Sequence, residues 1–244
     1  MSKRQEIRER RNKERLRNRV LVILLVVAGA AIITFALILP GLKGQSAAGT
    51  IVQITPAVRT AALNKTSMGD PNAPVKMDVW EDFQCSGCKS YSQNLEPQVI
   101  QTYVDTGKVF YTFHFYPFID GGQGESHQAA DAAMCAMAQG RFWDYHDMLF
   151  ANWIGENQGS FTDSRLVAFA LGIKLNMTAF NQCFKANTYS AEIQQDMDAG
   201  AKLGVPPTPG IFINGKTVVS SAGATFLPSL DDISKTIDAT LAGQ

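Results

Sequence analysis

The sequence predicts an α/β fold: strand, helix, strand, a block of helices, a β-hairpin and a last helix, preceded by one N-terminal transmembrane helix. Three observations predict it. Residues 20–39, VLVILLVVAGAAIITFALIL, are 20 consecutive uncharged and mostly apolar residues, which at about 1.5 Å rise each span about 30 Å, the thickness of a hydrocarbon core. VKMDVW (75–80) and TGKVFYTFHFYP (106–117) are β-rich runs that flank a segment of helical spacing, Tyr91, Leu95, Val99 and Tyr103. GIFINGKTVVS, from Gly210, holds two β runs joined by Asn214-Gly215, the strongest two-residue hairpin signal.

Taken in order, residues 1–19 are a basic segment with nine Lys/Arg against three Asp/Glu, inside a chain whose net charge is zero. By the positive-inside rule this end stays in the cytoplasm and everything after Leu39 lies outside. A short basic block is also an electrostatic footprint for nucleic acid. Set against an apolar span, it reads as topology and attraction to anionic lipid, and no nucleic-acid role is expected. A cleaved signal peptide competes with an anchor, because SAA at 46–48 fits a cleavage site. The apolar run exceeds the roughly 7–15 residues of an ordinary signal, which favours an uncleaved single-pass anchor over 20–39.

Residues 40–68 read as a linker, small and polar, with a short strand at Ile51 to Ile54. From Pro74 the β-α-β opening begins. Pro97 kinks its helix rather than ending it, since the apolar spacing continues beyond. Between Gly121 and Gly204 the pattern is helical throughout, with Thr162 or Asp163 and Asn176 as caps. The last helix runs from about Leu227 to Leu241. The resulting division is 69–121 with 202–244 as one α/β domain and 122–201 as a helical insertion.

EDFQCSGC (81–88) puts two cysteines one helical turn apart where the first strand passes into the helix. They could hold a metal, lock the fold or exchange electrons. A thiol at a helix N-terminus faces unpaired backbone N–H groups and the positive end of the helix dipole, which stabilise a thiolate. At an ordinary pKa of about 8.5 only about 3% of a thiol is ionised at pH 7, and a helix-terminal Cys-X-X-Cys brings that pKa to roughly 3.5–7.5. Cys85 is then the nucleophile and Cys88 its partner one turn in. A zinc site would need a second close pair of ligands. Cys135 and Cys183 stand singly in the helical block, as do His127 and His146, and His114 falls in an aromatic strand where a hydrogen-bonded structural role is expected. No metal is expected.

GDPNAPV, EDFQCSGC, AAMCAMAQGRFWDYHDMLF and GVPPTPGIFING, four blocks in order from Gly69 onwards, resemble the DsbA-like thiol-disulfide oxidoreductases, in particular the membrane-tethered BdbD-type branch. The resemblance implies a thioredoxin-like fold with an inserted all-helical subdomain, no bound cofactor, and Cys85 and Cys88 as the redox pair. It implies a cis Pro209 beside the cysteines, with Thr208 offering its backbone to an extended substrate segment. With Cys85 and Cys88 assigned to the redox site, Cys135 pairs with Cys183 as a structural disulfide; a second redox pair is the alternative. Two residues depart from the family pattern. Ser86-Gly87 stands where many relatives carry proline with an aromatic residue or histidine, and Pro207 replaces a common glycine.

Glu81 and Asp82 precede the nucleophile, and a buried carboxylate there could take the proton of Cys88. Asp82 is placed slightly ahead of Glu81. The FHFYPF run (113–118) is expected to be core, with some aromatic surface left for substrate. The activity implied is a disulfide-forming oxidase acting on exported, reduced or unfolded proteins, as a monomer held at the cytoplasmic membrane. Its reoxidant would be a membrane quinone-linked protein of the DsbB or vitamin K epoxide reductase type. A reductase or isomerase of the same fold, a copper-binding thioredoxin-like metallochaperone and a non-catalytic scaffold are the competing readings.

Overall fold

Alternation along the two longest strands decides which way the sheet faces. The computed structural model describes residues 27, 29, 49–55, 57–120, 124–223 and 227–243. Six strands form one sheet: β1 (Leu63–Asn64), β2 (Ser67–Met68), β3 (Val75–Glu81), β4 (Val109–Phe115), β5 (Gly210–Ile213) and β6 (Lys216–Thr217), in the order β1-β2-β4-β3-β5-β6. β3 and β4 are parallel, with Val75 opposite Val109 and Glu81 opposite Phe115; every other pairing is antiparallel. Since side chains alternate across a strand, Val75, Met77, Val79 and Glu81 share a face with Val109, Tyr111, Phe113 and Phe115. All eight are buried.

That face is covered by the helix that follows β3 and by part of the helical block. The helix is α1 (Ser86–Asn94), continued by one turn, α2 (Glu96–Val99), and a wider π turn over Ile100–Val104. Pro97 accounts for the break at Leu95: it has no N–H to donate, so the ladder restarts with Gln98 N and Val99 N both donating to Leu95 O at 3.0 Å. The axis is kinked rather than ended, as the spacing predicts. The block comprises α3 (Glu125–Met137), α4 (Phe142–Ala151), α5 (Asp163–Gly172), α6 (Met177–Lys185) and α7 (Ser190–Leu203). From α4, Phe142, Trp143 and His146 pack against Phe113, and Phe150 packs against Phe83. Burying each such ring contributes about 1.5–3 kcal/mol. FHFYPF is thus chiefly core: Phe113 and Phe115 are enclosed, and Phe118 is exposed.

On the opposite face Trp80 stacks on His114 at 4.1 Å, and Gly200 of α7 lies so close that a Cβ there would stand 2.8 Å from the indole nitrogen of Trp80. His114 is hydrogen-bonded on both ring nitrogens, to Asp196 (3.1 Å) and Asp78 (3.2 Å). These bonds hold its pKa up at about 9 against the opposing effect of burial. It is the structural histidine expected, and it faces away from Cys88. Asn214 and Gly215 both have positive φ, 46° and 75°, as a two-residue turn of this kind requires. The final helix, α8 (Leu230–Ala242), starts three residues later than expected because Ser229 and Asp232 form a capping box that fixes its first turn.

Three expectations need correction. Residues 51–54 form no strand; the backbone N–H and C=O of Val52 instead bond the side chain of Asn152, at 2.8 and 2.9 Å. The linker does not extend to 68, because Leu63–Asn64 and Ser67–Met68 form a hairpin that pairs with β4 and buries Met68. Two-residue strands are too short to show alternation in a sequence. The boundary expected at 201/202 falls within the last turn of α7, which ends on Gly204 in the left-handed conformation.

The chain divides into two units, Met1–Ala47 and Ala48–Gln244. Apart from residues 27 and 29, the basic segment and the expected membrane helix lie outside the described residues. Among the described residues no helix is long and apolar enough to cross a membrane.

Candidate active site

The strand-to-helix junction places Cys85 at the N-cap of α1, with extended backbone (φ −70°, ψ 126°) and its thiol half-buried. Cys88, one turn in, is fully buried, and both are free thiols. The Thr208-Pro209 peptide bond is cis. The Cys85 thiol donates to Thr208 O at 3.2 Å, so two segments 123 residues apart in sequence meet at the sulfur. Ser86-Gly87 permits this approach: a Cβ on Gly87 would stand 3.3 Å from Thr208 O and 3.4 Å from the Pro209 ring. A larger residue there would push the loop back. Beside Cys85 runs a groove of about 340 Å³, lined among others by Pro206, Thr208, Val218, Val219 and Leu227.

The two thiols are driven apart electrostatically. A hydrogen bond from the Cys88 thiol, helped by Thr208 and by the backbone N–H groups of Gly87 and Cys88 at the start of α1, lowers Cys85 to about 6 against the opposing effect of burial. Burial pushes Cys88 well up, and the Cys85 and Glu81 charges push it the same way. One sulfur is therefore a thiolate at neutral pH, and the other holds its proton.

The carboxylates reverse the order in which the sequence places them. Glu81 ends β3 in the inward phase and lies beneath α1 on the Cys88 side of the sheet. Burial raises its pKa well above the usual carboxylate range, as do Glu96 and the Cys85 thiolate. The Cys88 thiol draws it partly back, although neither Glu81 oxygen makes a close hydrogen bond. Asp82 is fully engaged elsewhere: it accepts from Gln84 N (2.8 Å), Phe118 N (3.0 Å), Ile119 N (3.0 Å) and Ser126 Oγ (2.9 Å). Burial lifts it to about 6, but its oxygens tie the 116–120 loop to the start of α3. The carboxylate facing the buried thiol is Glu81.

Several neighbours of the site were not singled out by the sequence reading. Gln84 joins the active-site loop to the helical block, its amide nitrogen 3.0 Å from Ser126 Oγ and its Oε1 accepting from Asn157 N, while Gln84 O accepts the indole N–H of Trp153 at 2.6 Å. Glu96 and His146 are buried beyond Glu81. Their signal was faint, since Glu96 lies two turns after Cys88 on the same helix face and only the fold brings His146 to it. Cys135 and Cys183 form a disulfide between α3 and α6, with Cα atoms 5.9 Å apart.

A thiolate at a helix cap, a buried second thiol and a cis-proline loop at bonding distance form a site for thiol-disulfide exchange. The family described as Thioredoxin matches residues 62–239. The chain belongs to the thioredoxin family. Within that family it is a DsbA-like thiol-disulfide oxidoreductase. It is 26% identical over 177 residues to the probable disulfide bond formation protein D of Bacillus cereus, covering 72% of this chain and 78% of the relative. It is 25% identical over 179 residues to disulfide bond formation protein D of Bacillus subtilis, covering 72% and 77%. The crystal structure of oxidised BdbD from Bacillus subtilis superposes with a TM-score of 0.64 at 23% identity, over 80% of this chain and all of that one. That likeness extends to the inserted helices and shows the shared fold.

The split between the two thiols fixes a pH dependence. A thiol with a lowered folded pKa stabilises the folded reduced state fully above its ordinary pKa, and that contribution is lost as pH falls through the folded value. The melting temperature of the reduced form minus that of the oxidised form is therefore expected to rise between about pH 6 and pH 9. Above pH 9 it should fall, because Cys88 then ionises only in the unfolded chain. Melts of both redox forms from pH 5 to 10 check this, and a flat difference would refute a stabilised Cys85 thiolate.

Proposed function

We propose that the protein is a disulfide-forming oxidase for exported proteins, anchored by residues 20–39 with its N-terminus in the cytoplasm and its α/β domain outside. The observation that carries this reading is the Cys85 thiol at the helix cap, lowered to about 6 by the Cys88 thiol and by the backbone N–H groups that open α1. A redox pair whose reduced form is stabilised as a thiolate releases that sulfur readily and favours oxidation of others. The names of the Bacillus relatives support the same direction.

In the mechanism, a substrate thiolate attacks Cys85 of the Cys85-Cys88 disulfide, and the sulfur of Cys88 leaves and takes a proton from Glu81. The substrate segment lies along the groove, its backbone beside Thr208-Pro209. A second substrate thiolate then attacks the substrate sulfur of the mixed disulfide and Cys85 leaves as thiolate. Two electrons have passed to the protein, the substrate has become a disulfide, and one proton stays on Cys88. Reoxidation falls to a membrane quinone-linked protein of the DsbB or vitamin K epoxide reductase type, beside which the anchor concentrates the domain. Cys135-Cys183 serves as a structural staple, and the protein works as a monomer. The copper reading loses its third ligand, since His114 is bonded to two carboxylates on the other face of the sheet.

A redox titration of the full chain against glutathione tests the direction of electron flow. A potential above about −200 mV is expected, and one well below about −250 mV would make the protein a reductant.

A further inference from the structure

Behind Cys88 the interior holds more unpaired polar atoms than disulfide exchange at Cys85 requires. Both oxygens of Glu81, Oε1 of Glu96 and Nε2 of His146 are enclosed without a close hydrogen-bond partner, and beside them the buried hydroxyls of Tyr91 and Tyr111 face each other, with Tyr111 also turned to Glu96. They come from five elements, β3, α1, α2, β4 and α4. Glu81, Glu96 and His146 each place one oxygen or ring nitrogen so that the three lie within 4.8 Å of one another, and Nε2 of His146 is 4.0 Å from Oε2 of Glu96. Each buried polar atom left unpaired costs about 1–3 kcal/mol, so such a group calls for something mobile that pairs with its members in turn. Protons do so.

The cluster also has its own outlet. A cavity of about 470 Å³, lined by Ala57, Val58, Arg59, Ser92, Glu96 and Asp147 among others, reaches Glu96 from the surface. It shares no lining residue with the groove at Cys85, and Glu96 lies 11 residues along the kinked helix from the nucleophile, roughly 16 Å of helical rise. Around its inner end the charges are ordered. Arg59 Nη2 is 2.7 Å from Asp147 Oδ1, which is 3.1 Å from His146 Nδ1, and Ser92 Oγ donates to Glu96 Oε2 at 3.3 Å. Asp147 can only accept, so Nδ1 carries a proton there, and Nε2 is the ring atom turned towards Glu96.

We propose that Glu96 and His146 are the outer stage of a proton conduit that joins Cys88, through Glu81, to the cavity at Arg59 and Asp147. The proposal rests on the reading above in which Glu81 exchanges a proton with Cys88. When the disulfide closes, the Cys88 thiol gives its proton to the Glu81 carboxylate and its electron pair forms the bond to Cys85 Sγ. The departing partner sulfur keeps the pair of the bond that breaks. Protonated Glu81 passes the proton to Glu96 or to Nε2 of His146, which releases it to water in the cavity; opening reverses each transfer. The buried thiol can thus gain and lose its proton while a substrate covers the groove.

The test follows closure of the Cys85-glutathione mixed disulfide in the reduced full chain mixed with oxidised glutathione. Glu96→Gln is expected to slow closure about tenfold or more at pH 7, to leave the ultraviolet titration of the Cys85 thiolate unchanged, and to be rescued by Glu96→Asp. Glu81→Gln should slow closure at least as much, and the double variant no further, because the groups act in series. Should Glu96→Gln close at the wild-type rate while Glu81→Gln is slow, the conduit is wrong and the role of Glu81 stands. Wild-type rates in both would remove the role of Glu81 as well. Stoichiometric divalent metal in the purified protein, lost on Glu96→Gln, would overturn the conduit in favour of a metal site. If Glu96→Gln does not fold, Ala57→Trp at the exposed rim carries the test: closure about threefold slower supports the conduit, and unchanged closure overturns it.

Discussion

Replacing Cys85 with serine is expected to reduce disulfide exchange to the uncatalysed background, while replacing Cys88 with serine leaves the first half-reaction and traps its product. The asymmetry comes from the two sulfurs' surroundings. With a pKa of about 6 in place of the ordinary value of about 8.5, about 90% of Cys85 is thiolate at pH 7 where about 3% would otherwise be. A serine hydroxyl has no comparable anion and cannot form the disulfide, so no residual pathway remains. The hydroxyl introduced by Cys88→Ser, in contrast, can still donate a hydrogen bond to the Cys85 thiolate but cannot attack the mixed disulfide. The Cys88→Ser protein, reacted with oxidised glutathione or a thiol-bearing peptide disulfide, should accumulate one adduct per chain on Cys85, readable by intact mass. An adduct forming on Cys88 in the Cys85→Ser protein at a similar rate would reverse the assignment, and exchange by that protein at the wild-type rate would favour a binding scaffold.

Residues whose roles follow from local order were legible in the sequence. Cys85 sits at the helix cap because a β-rich run ends just before it and helical spacing begins just after, and Asn214-Gly215 makes its hairpin because few other pairs tolerate two positive φ values. Asp82 and Glu81 were harder, since both precede the nucleophile and only strand phase separates them. Val75, Met77 and Val79 carry the inward phase, and extending it by one residue pair points Glu81 at the thiol and leaves Asp82 to the loop amides. Choosing between them required knowing that β3 stays regular through Glu81. The convergence of Glu96 and His146 was not legible, because 50 residues separate them and each alone looks like an ordinary helix residue. The same holds for Gln84, whose amide spans to Ser126 and Asn157. Polar groups that meet only through tertiary packing leave no period in a sequence, whereas apolar faces do.

Removing the Cys135-Cys183 bond by changing both residues to alanine is expected to lower stability by about 4 kcal/mol while leaving exchange chemistry intact. The bond closes a loop of 48 residues, and in the chain-entropy model a loop of that length confines the unfolded chain by about 4 kcal/mol. Within the folded state the loss is small, because α6 remains held by Phe180 and Phe184, with Phe180 packed on Tyr145. For a unit of this size, 1 kcal/mol corresponds to roughly 2–4 °C, so the melting temperature should fall by roughly 8–16 °C. Exchange at 25 °C should stay within about twofold of wild type, since neither sulfur contacts Cys85, Cys88 or the Thr208-Pro209 loop. The staple should also be reduced far more slowly than Cys85-Cys88, because Cys135 is enclosed and neither sulfur has the helix-cap setting that makes Cys85 a good leaving group. A fall in melting temperature of less than about 3 °C would mean that the unfolded chain is not confined by the bond. Equal lability of the two disulfides would instead make Cys135-Cys183 a second redox pair, with electrons passing through the helical block as well as through the cap of α1.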